Sequence, residues 1–271
     1  NHFHLSPIMA PSLRLTLGLT LLAALGTTAQ QCTKAAKTPG LHAVEIKVGS
    51  ATREFYVSVP EGLSPTQNYP VMMLFHGCGS SPEKYEFESS MNVRASEAKF
   101  YNIYPRGTTT KTKLGWNAGF GVCETEGKFN DVEFTRQIHS WALENLCVSN
   151  DKFFAAGFSN GGSMVQNLTC EMPSYFTAFA YAGSTMPPVA YPTSESCGNG
   201  GLNLDQIKPI LNVCGATDGC NNGLTSWFRE YATFMECADQ PQENRVSATT
   251  TCYEHAQCGV RKNLPLQYCS V

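Results

Sequence analysis

Short apolar segments alternate with segments of helical spacing along this 271-residue chain, and this alternation constrains the fold more than any other feature. Short apolar runs are typical of strands buried on both faces of a parallel sheet. The predicted strands are 43–48, 53–59, 71–75, 101–104, 153–156, 175–182, 210–213 and 265–271. The predicted helices are 82–100, 131–146, 162–170 and 224–234. Right-handed strand–helix–strand units build an open, mostly parallel sheet with helices on both faces, so we predict one α/β domain.

Composition excludes several classes of protein. The chain is 42% hydrophobic and 15% charged, which is too apolar and too weakly charged for a disordered protein. It has 19 Lys and Arg residues against 22 Asp and Glu, so it lacks the basic surplus of a general nucleic-acid binder. The low charged fraction is more typical of a secreted enzyme than of a cytosolic one.

The amino-terminal region has the pattern of a secretory signal. A short basic segment at 9–14 precedes the apolar run 15–25, and small residues follow at 27–29. We predict a signal peptide at 9–29, a non-native leader at 1–8 and a mature domain at 30–271. The apolar run is too short for a membrane anchor, so we expect a secreted, extracellular protein with no membrane association after cleavage.

Twelve cysteines, all after the predicted cleavage site, predict up to six disulfides in an exported chain. Their pairing cannot be deduced from the sequence, and Cys214, in a strand-like segment, is alternatively a buried free thiol. No Cys-x-x-Cys pair occurs and histidines are few. We therefore expect no metal site.

The string Gly-Phe-Ser-Asn-Gly at 157–161 matches the nucleophile pattern Gly-x-Ser-x-Gly. It directly follows a predicted strand and precedes a predicted helix, as a nucleophile elbow requires. The helix amino terminus favours negative charge that develops at the serine. We predict Ser159 as the nucleophile, the alternative being an ordinary glycine-rich turn with a helix-capping serine.

An oxyanion hole needs two backbone donors, one from the elbow and one from the loop after an earlier strand. The elbow supplies the N–H of Asn160. The strand at 71–75 runs into His-Gly-Cys-Gly, and we predict the N–H of Cys78 as the second donor. A plain glycine turn with His76 as a structural histidine is the alternative.

A serine nucleophile of this kind acts in a triad with an acid and a histidine base, which follow it in that order in the chain. Asp218 is the predicted acid. Three aspartates follow Ser159, and only Asp218 comes directly after a predicted buried strand, where sites of α/β proteins gather. Asp205 precedes that strand and Asp239 follows a helix. The alternative for Asp218 is a turn residue capping Gly219.

The base should follow the acid in the chain, and His255 is the single histidine after Asp218. It lies between Cys252 and Cys258, which suggests the tip of a hairpin loop. In this fold class the catalytic histidine follows the last strand, and here that strand is predicted at 265–271. We therefore expect the base to follow Val271, with the C-terminal end of the domain missing from this sequence; His255 remains the alternative.

Five motifs together resemble the secreted feruloyl esterase, acetylxylan esterase and polyhydroxybutyrate depolymerase group of the α/β-hydrolases. They are His-Gly-Cys-Gly at 76–79, Gly-Trp-Asn-Ala-Gly at 115–119, Asn-Asp-Val-Glu-Phe at 130–134, Gly-Phe-Ser-Asn-Gly-Gly at 157–162 and Gly-Ala-Thr-Asp at 215–218. The resemblance implies a disulfide-stapled α/β-hydrolase fold with Ser159 as nucleophile, Asp218 as acid, and Cys78 and Asn160 as oxyanion donors. It also implies a Gly-His-x-Trp-Pro-like segment after the last strand.

Three further residues receive predictions from their context. Trp116, in a glycine-rich loop, is a candidate for stacking on an aromatic acyl group or a sugar, with a packed structural tryptophan as the alternative. Asn130 and Asp131 are interpreted as a helix start and a loop anchor rather than as catalytic residues. The sequon at 167–169 falls on the helix after the nucleophile, which we expect to be buried and therefore unmodified.

The expected function is that of a secreted serine esterase that forms an acyl-enzyme and needs no cofactor. Its expected substrate is a feruloyl ester on plant xylan; acetylxylan and polyhydroxybutyrate are alternatives, and a monomer is expected. A non-catalytic carbohydrate-binding protein is the rival of another class, and a serine peptidase on the same scaffold is a third possibility.

Overall fold

The computed structural model of this chain describes residues 32–35, 37–109, 113–118, 123, 129–184, 204–237, 240–259 and 264–271. The predicted leader and signal peptide lie outside them. None of the described helices has both the length and the apolar character needed to cross a membrane.

Strands and helices alternate through the described part of the chain. The strands are β1 (Gly40–Val48), β2 (Ala51–Val59), β3 (Tyr69–Phe75), β4 (Tyr101–Pro105), β5 (Thr108–Thr109), β6 (Leu114–Gly115), β7 (Val148–Phe158), β8 (Ala178–Ala182), β9 (Ile210–Cys214), β10 (Gln242–Arg245), β11 (Thr251–Cys258) and β12 (Leu264–Ser270). The helices are α1 (Pro82–Ser89), α2 (Met91–Ala98), α3 (Asp131–Asn145), α4 (Asn160–Glu171) and α5 (Asn221–Phe234). Short 3₁₀ turns lie at Pro173–Tyr175 and Leu204–Gln206.

Ten of these strands form one sheet in the order β1-β2-β4-β3-β7-β8-β9-β12-β11-β10. The six central strands, from β4 to β12 in that order, are all parallel to their neighbours. The antiparallel hairpin β1–β2 extends one edge, and β11 and β10 extend the other. The predicted mostly parallel sheet with helices is confirmed. Its parallel strands end at one common edge, which gathers the loops that follow them.

Helix starts follow from local capping. The Ser81 side chain accepts a hydrogen bond from the N–H of Lys84, and Pro82 stands at the first helical position of α1. Asn130 caps α3 in the same way, since its Oδ1 accepts the N–H of Glu133 at 2.8 Å. The helix-start role predicted for Asn130 is therefore confirmed.

Two expectations about local structure are wrong. The segment predicted as one helix at 82–100 is two helices, because Ser90 has a left-handed backbone (φ 53°) that ends α1 and begins α2. His255 does not lie at a hairpin tip. It is buried within β11, against the ring of Phe228. The cysteines that flank it belong to this same strand and do not enclose a turn.

A buried ion pair links the sheet to α3. The Arg53 guanidinium donates to Asp131 Oδ1 at 2.7 Å, and both side chains are almost completely buried. The guanidinium also stacks on the ring of Phe134, 3.9 Å from its centroid. Burial raises the pKa of the Asp131 carboxyl, against the opposing effect of Arg53. The carboxylate therefore depends on this one cation for its charge compensation.

Five disulfides occur within the described residues, in agreement with the predicted stapled fold. They are Cys32–Cys147, Cys78–Cys123, Cys214–Cys220, Cys237–Cys258 and Cys252–Cys269. Cys214 is therefore a disulfide cysteine and not a buried free thiol. Helix α5 buries Phe228 and Tyr231.

Candidate active site

The turn between β7 and α4 presents Ser159 at the carboxyl edge of the sheet. Ser159 has φ 53° and ψ −123°, a backbone conformation that non-glycine residues rarely adopt. Its N–H donates to Ala182 O at 2.9 Å, and its carbonyl accepts the N–H of Ser163 at 3.0 Å. The strained backbone is thus held from both sides, by the neighbouring strand β8 and by the first turn of α4.

Two glycines make this turn possible by close backbone approach. A Cβ on Gly157 would lie 2.2 Å from Gly161 O, and a Cβ on Gly161 would lie 2.1 Å from Phe75 O. Neither position accepts a side chain without movement of the backbone. The glycines of the Gly-x-Ser-x-Gly pattern therefore pack the strand, the turn and the helix against β3.

The segment after β3 runs beside the elbow. A Cβ on Gly77 would lie 3.5 Å from the Ser159 Cβ, so the loop that contains Cys78 adjoins the serine. Cys78 is tied to Cys123 by a disulfide, and the next residue, Gly79, donates its N–H to Leu114 O at 2.8 Å. The two predicted oxyanion donors, Cys78 and Asn160, belong to segments that both border Ser159.

Trp116 connects these two segments. Its backbone N–H donates to Asn160 Oδ1 at 2.8 Å, and its carbonyl accepts from Asn160 Nδ2 at 3.3 Å. Its indole N–H donates to His76 O at 2.8 Å, and its ring packs on Phe75. The side chain is fully buried. A buried ring offers no face for stacking on a substrate, so the structure favours the packed structural role over the substrate-binding role predicted for Trp116.

The loop after Trp116 is fixed to α3. The N–H of Asn117 donates to Asp131 Oδ2 at 2.7 Å, while Arg53 holds the other carboxylate oxygen. The loop-anchoring role predicted for Asp131 is confirmed. Sequence reasoning missed Arg53 and the Asn160 side chain, because pairs so far apart in the chain leave no local signal.

Asp218 lies in the loop after β9, exposed to solvent, and its N–H donates to Gly215 O at 3.0 Å. β9 is parallel to β7 and lies two strands away, so the two carboxyl ends are about 10 Å apart. That gap accommodates an imidazole between a serine and a carboxylate. Asp205, in a 3₁₀ turn before β9, lies at the opposite end of that strand, and Asp239 lies outside the described residues. Cys214 and Cys220, which flank Asp218, form a disulfide and are not free thiolate ligands.

His255 does not reach this edge. It pairs with Leu266 of β12, and Leu266 pairs with Ile210, the first residue of β9. This row lies toward the amino ends of the parallel strands, and β11 is four strands from β7, about 19 Å away. His255 is therefore not placed to take a proton from Ser159.

His76 lies near the elbow, but both of its ring nitrogens are engaged in structural hydrogen bonds. Its Nε2 accepts the N–H of Gly107 at 3.0 Å, and its Nδ1 donates to Gly77 O at 2.8 Å. Burial lowers the pKa of His76 to about 4. The ring is a neutral crosslink between two loops, as the structural alternative for His76 expected.

The free energy of unfolding should depend on pH, because two histidines are buried in their neutral form. Burial also lowers the pKa of His139, packed on Phe153 in the core, to about 4. The unfolded chain takes up these protons near pH 6.5, the folded protein only near pH 4, so acid favours the unfolded state. The free energy of unfolding should fall by about 2 kcal/mol per histidine between pH 7 and pH 5. Urea unfolding at pH 7 and at pH 5 measures this change in the free energy of unfolding.

The variant His139→Leu should remove about half of that pH dependence, because His76 then remains as the other histidine whose pKa burial lowers. Equal free energies of unfolding at pH 7 and pH 5 for the unsubstituted protein would contradict the assignment of neutral buried rings.

Comparisons with known proteins agree with this fold. No protein-family model matches the chain. It is 25% identical to feruloyl esterase B of Piromyces equi over 78% of its length, and 25% identical to feruloyl esterase D of Neurospora crassa over 65%. The matches cover 41% and 63% of those two proteins.

Among solved structures, an acetyl xylan esterase from Aspergillus awamori superposes with a TM-score of 0.63. The superposition covers 84% of this chain and 92% of the esterase at 13% sequence identity, so the two proteins are alike in fold. The chain therefore has the α/β-hydrolase fold, and its similarities are with the esterase group of that superfamily.

Proposed function

We propose that the whole protein is an exported serine esterase that hydrolyses ester substituents of plant cell-wall polysaccharides. The observation that carries this proposal is the strained backbone of Ser159 at a strand-to-helix turn, beside the loop of Cys78 and two strands from Asp218. Such a backbone costs free energy, and a protein retains it where the side chain that it presents has a function.

The proposed mechanism is acyl transfer. Ser159 Oγ attacks the ester carbonyl while an imidazole takes its proton, and the backbone N–H groups of Cys78 and Asn160 hold the oxyanion. The C–O bond to the alcohol breaks, and the imidazolium gives the proton to that leaving oxygen. Water then attacks the acyl-enzyme in the same way and releases the acid. Asp218 orients the imidazole and stabilises its charged form.

We further propose that the base is a histidine encoded after residue 271. Two backbone hydrogen bonds support it: the N–H of Val271 donates to Cys214 O, and Val271 O accepts the N–H of Ala216 at 2.8 Å. Chain that continues from this point leaves the sheet next to the loop of Asp218. Neither His76 nor His255 has a ring nitrogen placed for the task.

A feruloyl ester is the proposed substrate. The sequence relatives named feruloyl esterases support it, and the acetyl xylan esterase with the same fold leaves acetylxylan as the second candidate. Export is proposed from the signal-like segment at 9–29 and is supported by the five disulfides, because disulfides persist in oxidising compartments.

The proposal is tested on protein expressed from the complete coding sequence. A fluorophosphonate probe should label Ser159, mapped by peptide mass spectrometry, and wheat-bran arabinoxylan should release ferulate. Acetate from acetylxylan, or 3-hydroxybutyrate from polyhydroxybutyrate, without any ferulate would reassign the substrate. Peptide anilides cleaved as fast as p-nitrophenyl acetate would indicate a peptidase. Protein that stays unlabelled would favour a non-catalytic carbohydrate-binding role.

A further inference from the structure

One sequence motif is left unexplained by the proposed esterase site. Asn167-Leu168-Thr169 is the one Asn-x-Ser/Thr sequon in the 271 residues. It lies inside α4, two helical turns after the nucleophile. Burial of that helix was the reason to expect an unmodified asparagine.

Asn167 itself is less buried than the helix on which that expectation was based. Most of α4 is buried, including Leu168 and Thr169, but Asn167 is only part-buried. It opens onto a polar cleft of about 470 Å³ between α3 and α4. The cleft is lined by side chains that include Asn130, Arg136, Asn167 and Glu171. A large polar substituent on Asn167 has an open path to solvent.

Hydrogen bonding does not account for an asparagine at this position. Within the described residues, the Asn167 side chain takes part in no hydrogen bond or ring contact. Asparagine in a helix interior is less favourable than alanine or leucine by roughly half a kcal/mol. Within the described residues, the helix therefore carries a small cost at Asn167 with no compensating hydrogen bond, and the side-chain amide nitrogen is available for chemistry.

We propose that Asn167 carries an N-linked glycan, an inference that rests on the export proposed above. The donor is a polyprenyl pyrophosphate oligosaccharide of the secretory pathway. A bond forms between Asn167 Nδ2 and C1 of the first sugar, and the bond from C1 to the pyrophosphate oxygen breaks. The pyrophosphate leaves with the electron pair, and the amide proton passes to a base of the transferase.

Thr169 is compatible with this modification in both states of the chain. During transfer its hydroxyl belongs to the extended sequon. In the folded protein the same hydroxyl is buried and donates to Gln166 O at 2.6 Å, so it needs no contact with the glycan. The glycan and the helix thus use different side chains of one motif.

The glycan stands beside the proposed active site and not over it. Asn167 lies seven residues beyond Asn160, about 10 Å along the helix axis. Its side chain faces the cleft against α3, whereas Ser159 lies at the carboxyl edge of the sheet. Removal of the glycan should therefore leave turnover of a small ester such as p-nitrophenyl acetate unchanged.

The test is secretion of the full-length protein from a glycosylating eukaryotic host, with intact mass measured before and after peptide N-glycosidase F. We expect the loss of one glycan and conversion of Asn167 to aspartate in the mapped peptide. Asn167→Gln and Thr169→Val should abolish the shift. The matched variant Thr169→Ser keeps the sequon and should retain it.

Protein recovered from the medium with an unmodified Asn167 would overturn the proposal. Failure to reach the medium would contradict the export proposal instead. In that case the chain from residue 30 is placed behind a well-characterised heterologous signal peptide, and the same mass measurement decides the glycan. Activity with p-nitrophenyl acetate is read in parallel, so the esterase proposal succeeds or fails on its own evidence.

Discussion

Replacing Ser159 by alanine is expected to lower kcat for p-nitrophenyl acetate by about five orders of magnitude, because triad members act as one unit and no other described hydroxyl occupies the elbow. The Gly157 and Gly161 contacts that shape the turn do not involve the Ser159 side chain. The variant should therefore fold normally and lose fluorophosphonate labelling. The measurement is steady-state hydrolysis by protein from the complete coding sequence.

Ser163→Ala is the matched control for this prediction. Ser163 lies one turn further along α4, is buried, and places its hydroxyl 3.2 Å from that of Ser184. Its loss should leave kcat within about threefold, since the hydroxyl is buried and already paired with that of Ser184. If Ser159→Ala retained a tenth of the original activity, the nucleophile assignment would be wrong.

Breaking the buried Arg53–Asp131 ion pair is expected to have the largest effect on stability. Asp131→Leu leaves the guanidinium buried with the carbonyl of Arg106 as its remaining oxygen partner and removes the acceptor for the Asn117 N–H. An uncompensated buried charge typically costs about 3–5 kcal/mol. Urea unfolding at pH 7 measures the change in the free energy of unfolding.

Two variants separate this cost from a general effect of substitution. The double variant Arg53→Met/Asp131→Leu removes both charges and should regain a large part of the lost stability. Glu97→Ala breaks the exposed Arg94–Glu97 pair and should change the free energy of unfolding by less than about 1 kcal/mol. A double variant as unstable as the sum of its two single variants would contradict the interpretation.

The location of the site was predictable because its signals are local. Ser159 is framed by glycines between a strand and a helix, and Asp218 directly follows the buried strand β9, so periodicity and turn chemistry place both at one edge. Asn130 is a capping residue beside an acidic first turn, which is also a local signal. These features need no knowledge of which segments pair in the sheet.

The unpredicted features depend on partners that are distant in the chain. The Arg53 contact with Asp131 and the Trp116 bonds to Asn160 join segments that meet only after the sheet forms. His255 was misplaced because two cysteines close in sequence suggested a loop. Each of them instead crosslinks β11 to a different neighbour, Cys252 to Cys269 and Cys258 to Cys237.

The contacts around Ser159 have a consequence for folding kinetics. The Ser159 N–H reaches its acceptor, Ala182 O, only when β8 lies beside β7, and Gly77 adjoins Ser159 only when β3 is in place. Asp218 comes near only when β9 has paired with β8. Parallel pairings between distant segments are slow steps of folding, whereas single helices form early. Reactivity of Ser159 during refolding should therefore report completion of the central sheet, later than the recovery of helical signal.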